Sequence, residues 1–204
     1  MIKLYEFAAS GNCHKVRLLL SLMDIPYESI MVNGATREHK SADYLAMNPL
    51  GQVPVLVDGD VILRDSQAIL VYLARQYGAK QADSWLPNEP AALAQVVAWL
   101  ATAANEVTRG PNALRLHHKW GRAINLVEAE AITEQLFTML NQHLAQSTWL
   151  AAAHITIADI ALYPYIALAT EDKVDLLGFP AIVTWMKQIQ NLHAYVSMAG
   201  IDTY

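Results

Sequence analysis

The spacing of apolar residues changes character once along this chain. Over the first 77 residues, short strand-like runs alternate with helical ones. Ile2 to Phe7 reads as a strand. Val16, Leu19, Leu20 and Met23 recur at the i, i+3, i+4, i+7 spacing of an amphipathic helix. Pro26 ends that region, and Tyr27 to Val32 predicts a second strand. Asn33 to Glu38 is polar and turn-like, and Ser41 to Met47 predicts a short helix before the Pro49 break. Val55 to Val57 and Val61 to Leu63 flank the turn Asp58-Gly59-Asp60. Asp65-Ser66 then opens a helix to Tyr77, with Ile69, Leu70, Leu73 and Tyr77 on its buried face. The order is βαβ, a crossover, then ββα, an α/β arrangement.

After a polar stretch bearing Gly78 and Pro87, every periodic segment is helical. Pro90 suits a first helical turn, and the Ala-rich segment to about Arg109 has high helix propensity. Gly110-Pro111 predicts a break, and a second long helix is expected from roughly Arg122 to Gln146. Thr156 opens a third, and Pro180 to Leu192 predicts a fourth. The expected division is 1–78, a linker 79–89, and a helical domain 90–204. Thr156 with Asp159 three residues on is a variant of the capping box, and Ile155 and Ile160 occupy the hydrophobic-staple positions. Ile157 to Leu162 leaves that helix almost no polar face, so it is expected at the centre of the bundle, where Pro164 would bend it. Trp99, Trp120 and Trp185 read as core.

Composition narrows the function. Of 204 residues, 54% are hydrophobic and 16% charged, a globular balance. The formal charge of −5 disfavours nucleic acid, whose phosphates need clustered Lys and Arg. The basic groupings are short: Lys15/Arg17, His39-Lys40 and Arg115 to Lys119. No apolar run approaches the ~18 residues of a membrane span, and Met1-Ile-Lys-Leu-Tyr enters a strand pattern directly, so no membrane association and a cytoplasmic location are expected. A lone cysteine, Cys13, excludes an intrachain disulfide. His117-His118 is not a helical metal pair, and no Cys/His/Asp cluster indicates a metal.

The stretch Asn48 to Ile69 carries the most specific chemistry. Pro54 lacks an amide hydrogen and belongs at the head of a strand. X-Pro is the bond at which cis is accessible, and a cis bend would aim the Val53 amide and carbonyl above the sheet edge. Ser66, at a helix start, offers free N–H groups to an anion. Together these residues point to a pocket for a peptide-like ligand carrying a carboxylate.

Gln52-Val53-Pro54 with Asp65-Ser66, Ser10-Gly-Asn-Cys-His-Lys-Val-Arg17 upstream and Thr156-Ile-Ala-Asp159 downstream resemble, in order and spacing, the cytosolic glutathione transferase family, in particular its Ser-type, bacterial-like members. The resemblance implies an N-terminal thioredoxin-like domain followed by a C-terminal helical bundle. It also implies a homodimer, no tightly bound cofactor, and glutathione as cosubstrate for attack on a hydrophobic electrophile. Gln52, Val53 and Pro54 would hold the ligand backbone, Asp65 its α-ammonium and Ser66 its α-carboxylate. Relatives place His or Lys just before Gln52, where this chain has Gly51, so His39 or Lys40 is expected to take the glycyl carboxylate.

Such an enzyme needs a thiolate. A charge-assisted hydrogen bond is worth about 1.5–3 kcal/mol and a helix N-terminus about 0.3–2 kcal/mol. At about 1.36 kcal/mol per pKa unit these lower a thiol's pKa by roughly one to three units. Ser10, between the first strand and first helix, is the leading donor, and a plain helix cap is its alternative. Cys13 is the rival, because a thiol near a helix start becomes more acidic and would place the protein among glutathione-dependent disulfide reductases or peroxidases. A non-enzymatic member that carries ligands or binds proteins is the third reading. The electrophile site is expected at Ala9, Asn105, Glu106 and Arg109, while Thr156 and Asp159 are structural.

Overall fold

The computed structural model describes residues 1–78, 85–172 and 174–203. Residues 79–84 of the expected linker 79–89 lie outside the described residues.

The first domain comprises β1 (Ile2–Glu6), α1 (Gly11–Leu22), β2 (Tyr27–Met31), α2 (Ala42–Met47), β3 (Val55–Asp58), β4 (Val61–Arg64) and α3 (Ser66–Tyr77). The sheet order is β2-β1-β3-β4. β1 pairs with β2 in parallel and with β3 antiparallel, with Tyr5 opposite Val55. This is the thioredoxin-like arrangement. The helix starts follow the polar residues that precede them: Ser10 accepts from the Cys13 amide, Ser41 from the Tyr44 amide, and Asp65 from the amides of Gln67 and Ala68. The Val53–Pro54 bond is cis.

The second domain is helical: α4 (Pro90–Ala104), α5 (Glu106–Arg109), α6 (Pro111–Trp120), α7 (Leu126–Leu144), α8 (Ile157–Ala167) and α9 (Pro180–Gln190). Gly110-Pro111 is a break, as expected, but helical structure resumes at once: α5 ends at Arg109, and Gly110 separates it from α6. Pro111 opens α6, because a first-turn residue needs no amide hydrogen, and Gly121 at φ +66° closes it. The long helix therefore begins at Leu126, not near Arg122. Trp120 is also not core: it is 50% exposed, and the Arg115 guanidinium lies 4.8 Å from its ring centroid. Trp185 is fully buried and Trp99 half-buried.

α8 is buried along its whole length and touches α1, α3 and α4, so it joins the two domains. Its first turn is a reciprocal capping box: Thr156 Oγ1 accepts from the Ala158 amide, and Asp159 Oδ2 accepts from the Thr156 amide at 3.0 Å. Asp159 Oδ1 accepts from the Leu150 amide at 3.0 Å and from Trp185 Nε1 at 2.9 Å, which pins the preceding loop and α9. Among the described residues no helix is long and apolar enough to cross a membrane.

Candidate functional site

The turn Phe7–Ser10 between β1 and α1 is tied down at each step. The Ser10 amide donates to the Phe7 carbonyl at 3.2 Å. Arg17, paired with the buried Glu6, donates to the Ala8 carbonyl at 3.2 Å. Arg115 of α6 donates through Nη1 to the Ala9 carbonyl at 2.9 Å, while its Nε bonds to Glu171. Ala9 thus meets the helical domain through its backbone. The next residue, Ser10, presents its hydroxyl at the start of α1 with Cys13 N–H 3.3 Å away.

Beside this turn a cleft of about 640 Å³ opens between the domains. Its first-domain side carries Phe7, Asn12, His39, Lys40, Gly51 to Val53, Asp65 and Gln67. The Gln52 carbonyl accepts from Tyr44 Oη at 3.0 Å and from Asn48 Nδ2 at 2.8 Å, which fixes the backbone leading into Val53. Asp65 stands at φ +71°, a conformation that costs a non-glycine residue about 1–3 kcal/mol. One of its oxygens, Oδ1, caps α3. Ser66 is buried, and its hydroxyl donates to Gln67 Oε1 at 2.7 Å and to Asn12 Oδ1 at 3.3 Å. Of the pair read from the sequence, Asp65 lines the cleft, with Gln67 next to it, and the Ser66 side chain lies beneath. Pro54 is buried behind Val53.

Gly51, at φ +56°, leaves room for Lys40: a Cβ there would lie 2.7 Å from Lys40 Nζ. The ammonium therefore occupies the place a side chain at position 51 would fill, and it donates to the Leu50 carbonyl at 2.9 Å. His39 packs edge-on against Phe7 at 5.4 Å.

The opposite wall comes from Ala104, Thr108, Asn112, Leu116, Arg122 and Tyr165. The residues expected there do not line it. Glu106 and Arg109 line a separate groove of about 620 Å³ against α7, where Arg109 pairs with Glu128. Asn105, at the α4–α5 junction, donates to Glu106. The offset is small in sequence and large in space, since one residue along a helix turns the side chain by about 100°. The cleft residues Ala104, Thr108, Asn112 and Leu116 come one from α4, one from α5 and two from α6, across the junctions at Asn105 and Gly110. The wall combines the polar side chains of Thr108, Asn112 and Arg122 with Ala104, Leu116 and the Tyr165 ring.

Tyr165 is the residue sequence reasoning missed most completely. Its ring lies over Gly11, where an added Cβ would sit 2.8 Å from it. The Ser10 hydroxyl and the Asn12 amide both bear on its phenol oxygen, and burial still pushes the phenol up to about 12. Below the ring, 5.4 Å from its centroid, lies the Lys15 ammonium, pushed down to about 7 by burial. Cys13 faces inward with no exposed surface, and burial raises its thiol to about 11, against the opposing hydrogen bond from Ser10.

Comparison with known proteins accounts for this architecture. Residues 4–81 match the glutathione S-transferase N-terminal domain family and residues 122–197 the C-terminal domain family. The chain is 32% identical over 200 residues to glutathione S-transferase 3 of Zea mays, covering 92% of this chain and 88% of that protein. It is 30% identical over 203 residues to the disulfide-bond oxidoreductase YfcG of Escherichia coli strain K12, covering 94% and 91%. Among solved structures, a glutathione S-transferase from Xanthobacter autotrophicus Py2 superimposes with a TM-score of 0.88 at 30% identity, covering 98% of both chains. The chain belongs to the glutathione transferase family.

Proposed function

We propose that the protein is an enzyme that binds glutathione along the first-domain side of the cleft and transfers its thiolate to a carbon electrophile held by the helical wall. Val53 pairs with the cysteinyl backbone, and Gln52 lies beside it. Asp65 takes the α-ammonium through the oxygen not used in capping. The first turn of α3, with Gln67 and the Ser66 amide, takes the α-carboxylate, and Lys40 takes the glycyl carboxylate, with His39 beside it. The observation that carries this reading is the meeting of the pinned Gln52–Val53 backbone and the strained Asp65 in one cleft, with Phe7 and Asn12 of the anchored turn that bears Ser10 at its edge.

The chemistry follows from that placement. The thiol loses its proton to water, and the Ser10 hydroxyl donates to the sulfur anion. The thiolate then attacks carbon: the C–S bond forms, and a leaving group such as chloride departs with its bonding pair. Holding both partners in one cleft contributes through proximity. Calorimetry of glutathione binding, ultraviolet titration of the bound thiol and conjugation of a chloronitrobenzene test the proposal together. Binding with a lowered thiol pKa and turnover is expected. Absence of binding, or a bound thiol no more acidic than in water, overturns it. Binding with no conjugation, no peroxide reduction and no glutathione-disulfide exchange assigns the protein to the non-enzymatic reading.

A glutathione-dependent disulfide reductase is the second reading, supported by the activity named for the E. coli relative. It would run through the glutathione thiolate itself, because Cys13 is buried and its thiol is raised. As part of the proposal, domains 1–78 and 90–204 flank the linker 79–89, and the protein is a homodimer. Exposed Val61 and Ile62 on the edge strand β4 and exposed Val97 on α4 support a dimer.

A further inference from the structure

We infer that the second substrate carries an acidic group and that Arg122 receives it, an inference that rests on the glutathione reading above. The chain carries a net charge of −5, yet the cleft is lined by two permanent cations, Lys40 and Arg122, and one carboxylate, Asp65. Glutathione accounts for the first-domain pair, Asp65 with its ammonium and Lys40 with its glycyl carboxylate. Arg122 stands on the opposite wall, where an electrophile must lie for a thiolate beside Ser10 to reach it. Among the described residues no carboxylate lies within ion-pair distance of Arg122.

Its backbone is held for that position. Gly121 adopts φ +66°, its amide donates to the His117 carbonyl, and the Arg122 amide donates back to the Leu116 carbonyl at 3.2 Å. This closure of α6 fixes the residue as the chain leaves the helix. Thr108 and Asn112 on the same wall add a hydroxyl and an amide, and Ala104 and Leu116 supply a short apolar floor. A planar guanidinium with neutral hydrogen-bonding neighbours matches a carboxylate on a small carbon framework.

The test uses the full-length protein with glutathione and two aryl chlorides, a chloronitrobenzoate and its methyl ester. In each, the thiolate forms a C–S bond at the chlorine-bearing carbon, and chloride leaves with its bonding pair. The KM of the ester should exceed that of the acid, and the ratio should fall about ten-fold in Arg122→Gln, the low end for a hydrogen bond to a charged group. Arg122→Lys should restore part of it. An unchanged ratio overturns the inference, including the case in which the variant loses glutathione affinity instead. Calorimetric binding of the two S-conjugates to wild type and Arg122→Gln reads the same preference without turnover. There, a loss of about ten-fold confined to the acid conjugate supports the inference, and equal losses overturn it. Failure of turnover with that binding preference intact counts against the transferase reading alone.

Discussion

Arg115 Nη1 lies 2.9 Å from the Ala9 carbonyl oxygen, so a helix of the second domain holds the residue immediately before Ser10. The guanidinium is 2% exposed, bonds to Glu171 through Nε and stacks on Trp120. With Arg17 on the Ala8 carbonyl, it holds the backbone that leads into Ser10. Arg115→Met removes both bonds and leaves the Glu171 carboxylate to Lys119 alone. The lost bonds and packing should lower the melting temperature, by less than for an unpaired buried charge because Glu171 is partly exposed and keeps Lys119. In the protein that folds, kcat should fall and the bound thiol's pKa should rise, with the glutathione KM changing less than kcat. Arg115→Lys should recover stability better than the thiol pKa, because an ammonium cannot span Ala9 and Glu171 in a planar fork. A thiol pKa unaltered in Arg115→Met would reduce Arg115 to a purely structural residue.

Ser10 and Cys13 compete for the chemical role, and their surroundings differ sharply. Ser10 begins the helix beside the cleft, whereas Cys13 is fully buried with its thiol raised to about 11. Native protein should therefore resist alkylation by iodoacetamide near neutral pH and react only once unfolded. Cys13→Ala should retain conjugating activity. Ser10→Ala should lose about 1 kcal/mol of helix capping and most turnover, and Ser10→Thr should keep both in part. Rapid alkylation of the native thiol, with activity lost in step, would return the protein to the thiol–disulfide class.

Much of this was legible in the sequence because it was local. Pro54, Asp65 and Thr156 each declare a backbone event by their own chemistry: a missing donor, a cap or a capping box. The first-domain side of the cleft follows from such residues. The helical wall does not. Thr108 and Asn112 carry no signal that distinguishes them from Asn105 and Glu106, because the choice is one of rotation about a helix axis set by distant packing. Tyr165 sits in an almost wholly apolar segment, and its place at the site shows only in the fold, where it lines the cleft and its ring lies against Gly11. Arg115 reads only as the start of the short basic grouping Arg115 to Lys119, yet it is among the most buried charges of the described residues.

Asp159 shows how a correct motif can understate its residue. As a cap alone, its loss would cost about 0.5–2 kcal/mol. In the fold its carboxylate also accepts from the Leu150 amide and Trp185 Nε1 while fully buried. Asp159→Ala leaves those donors without a partner in the core, at about 1–3 kcal/mol for each unsatisfied group. Chemical denaturation should show a loss of several times the cap alone. Glutathione affinity, measured on the folded fraction, should stay close to wild type, because Asp159 lies outside the cleft lining. A variant of normal stability with weakened binding would contradict the structural role.

His14 offers a pH signature. It lies on α1 with no exposed surface and packs on Tyr163, and among the described residues neither ring nitrogen has a hydrogen-bond partner. Burial, with Arg17 as a lesser cause, lowers its pKa to about 3 from 6.5. Below the unfolded value, the unfolded chain binds a proton that the native state refuses. Native stability is therefore intact above that value and declines as pH falls through the window toward the folded one. From about pH 7 to about pH 5 this single group should remove about 2 kcal/mol. His14→Leu fills the site with an apolar side chain, so the variant should be at least as stable as wild type near neutral pH and should lose less stability on acidification. Parallel denaturation curves for the two proteins across that range would mean that the imidazole is protonated inside the fold and has found a partner there.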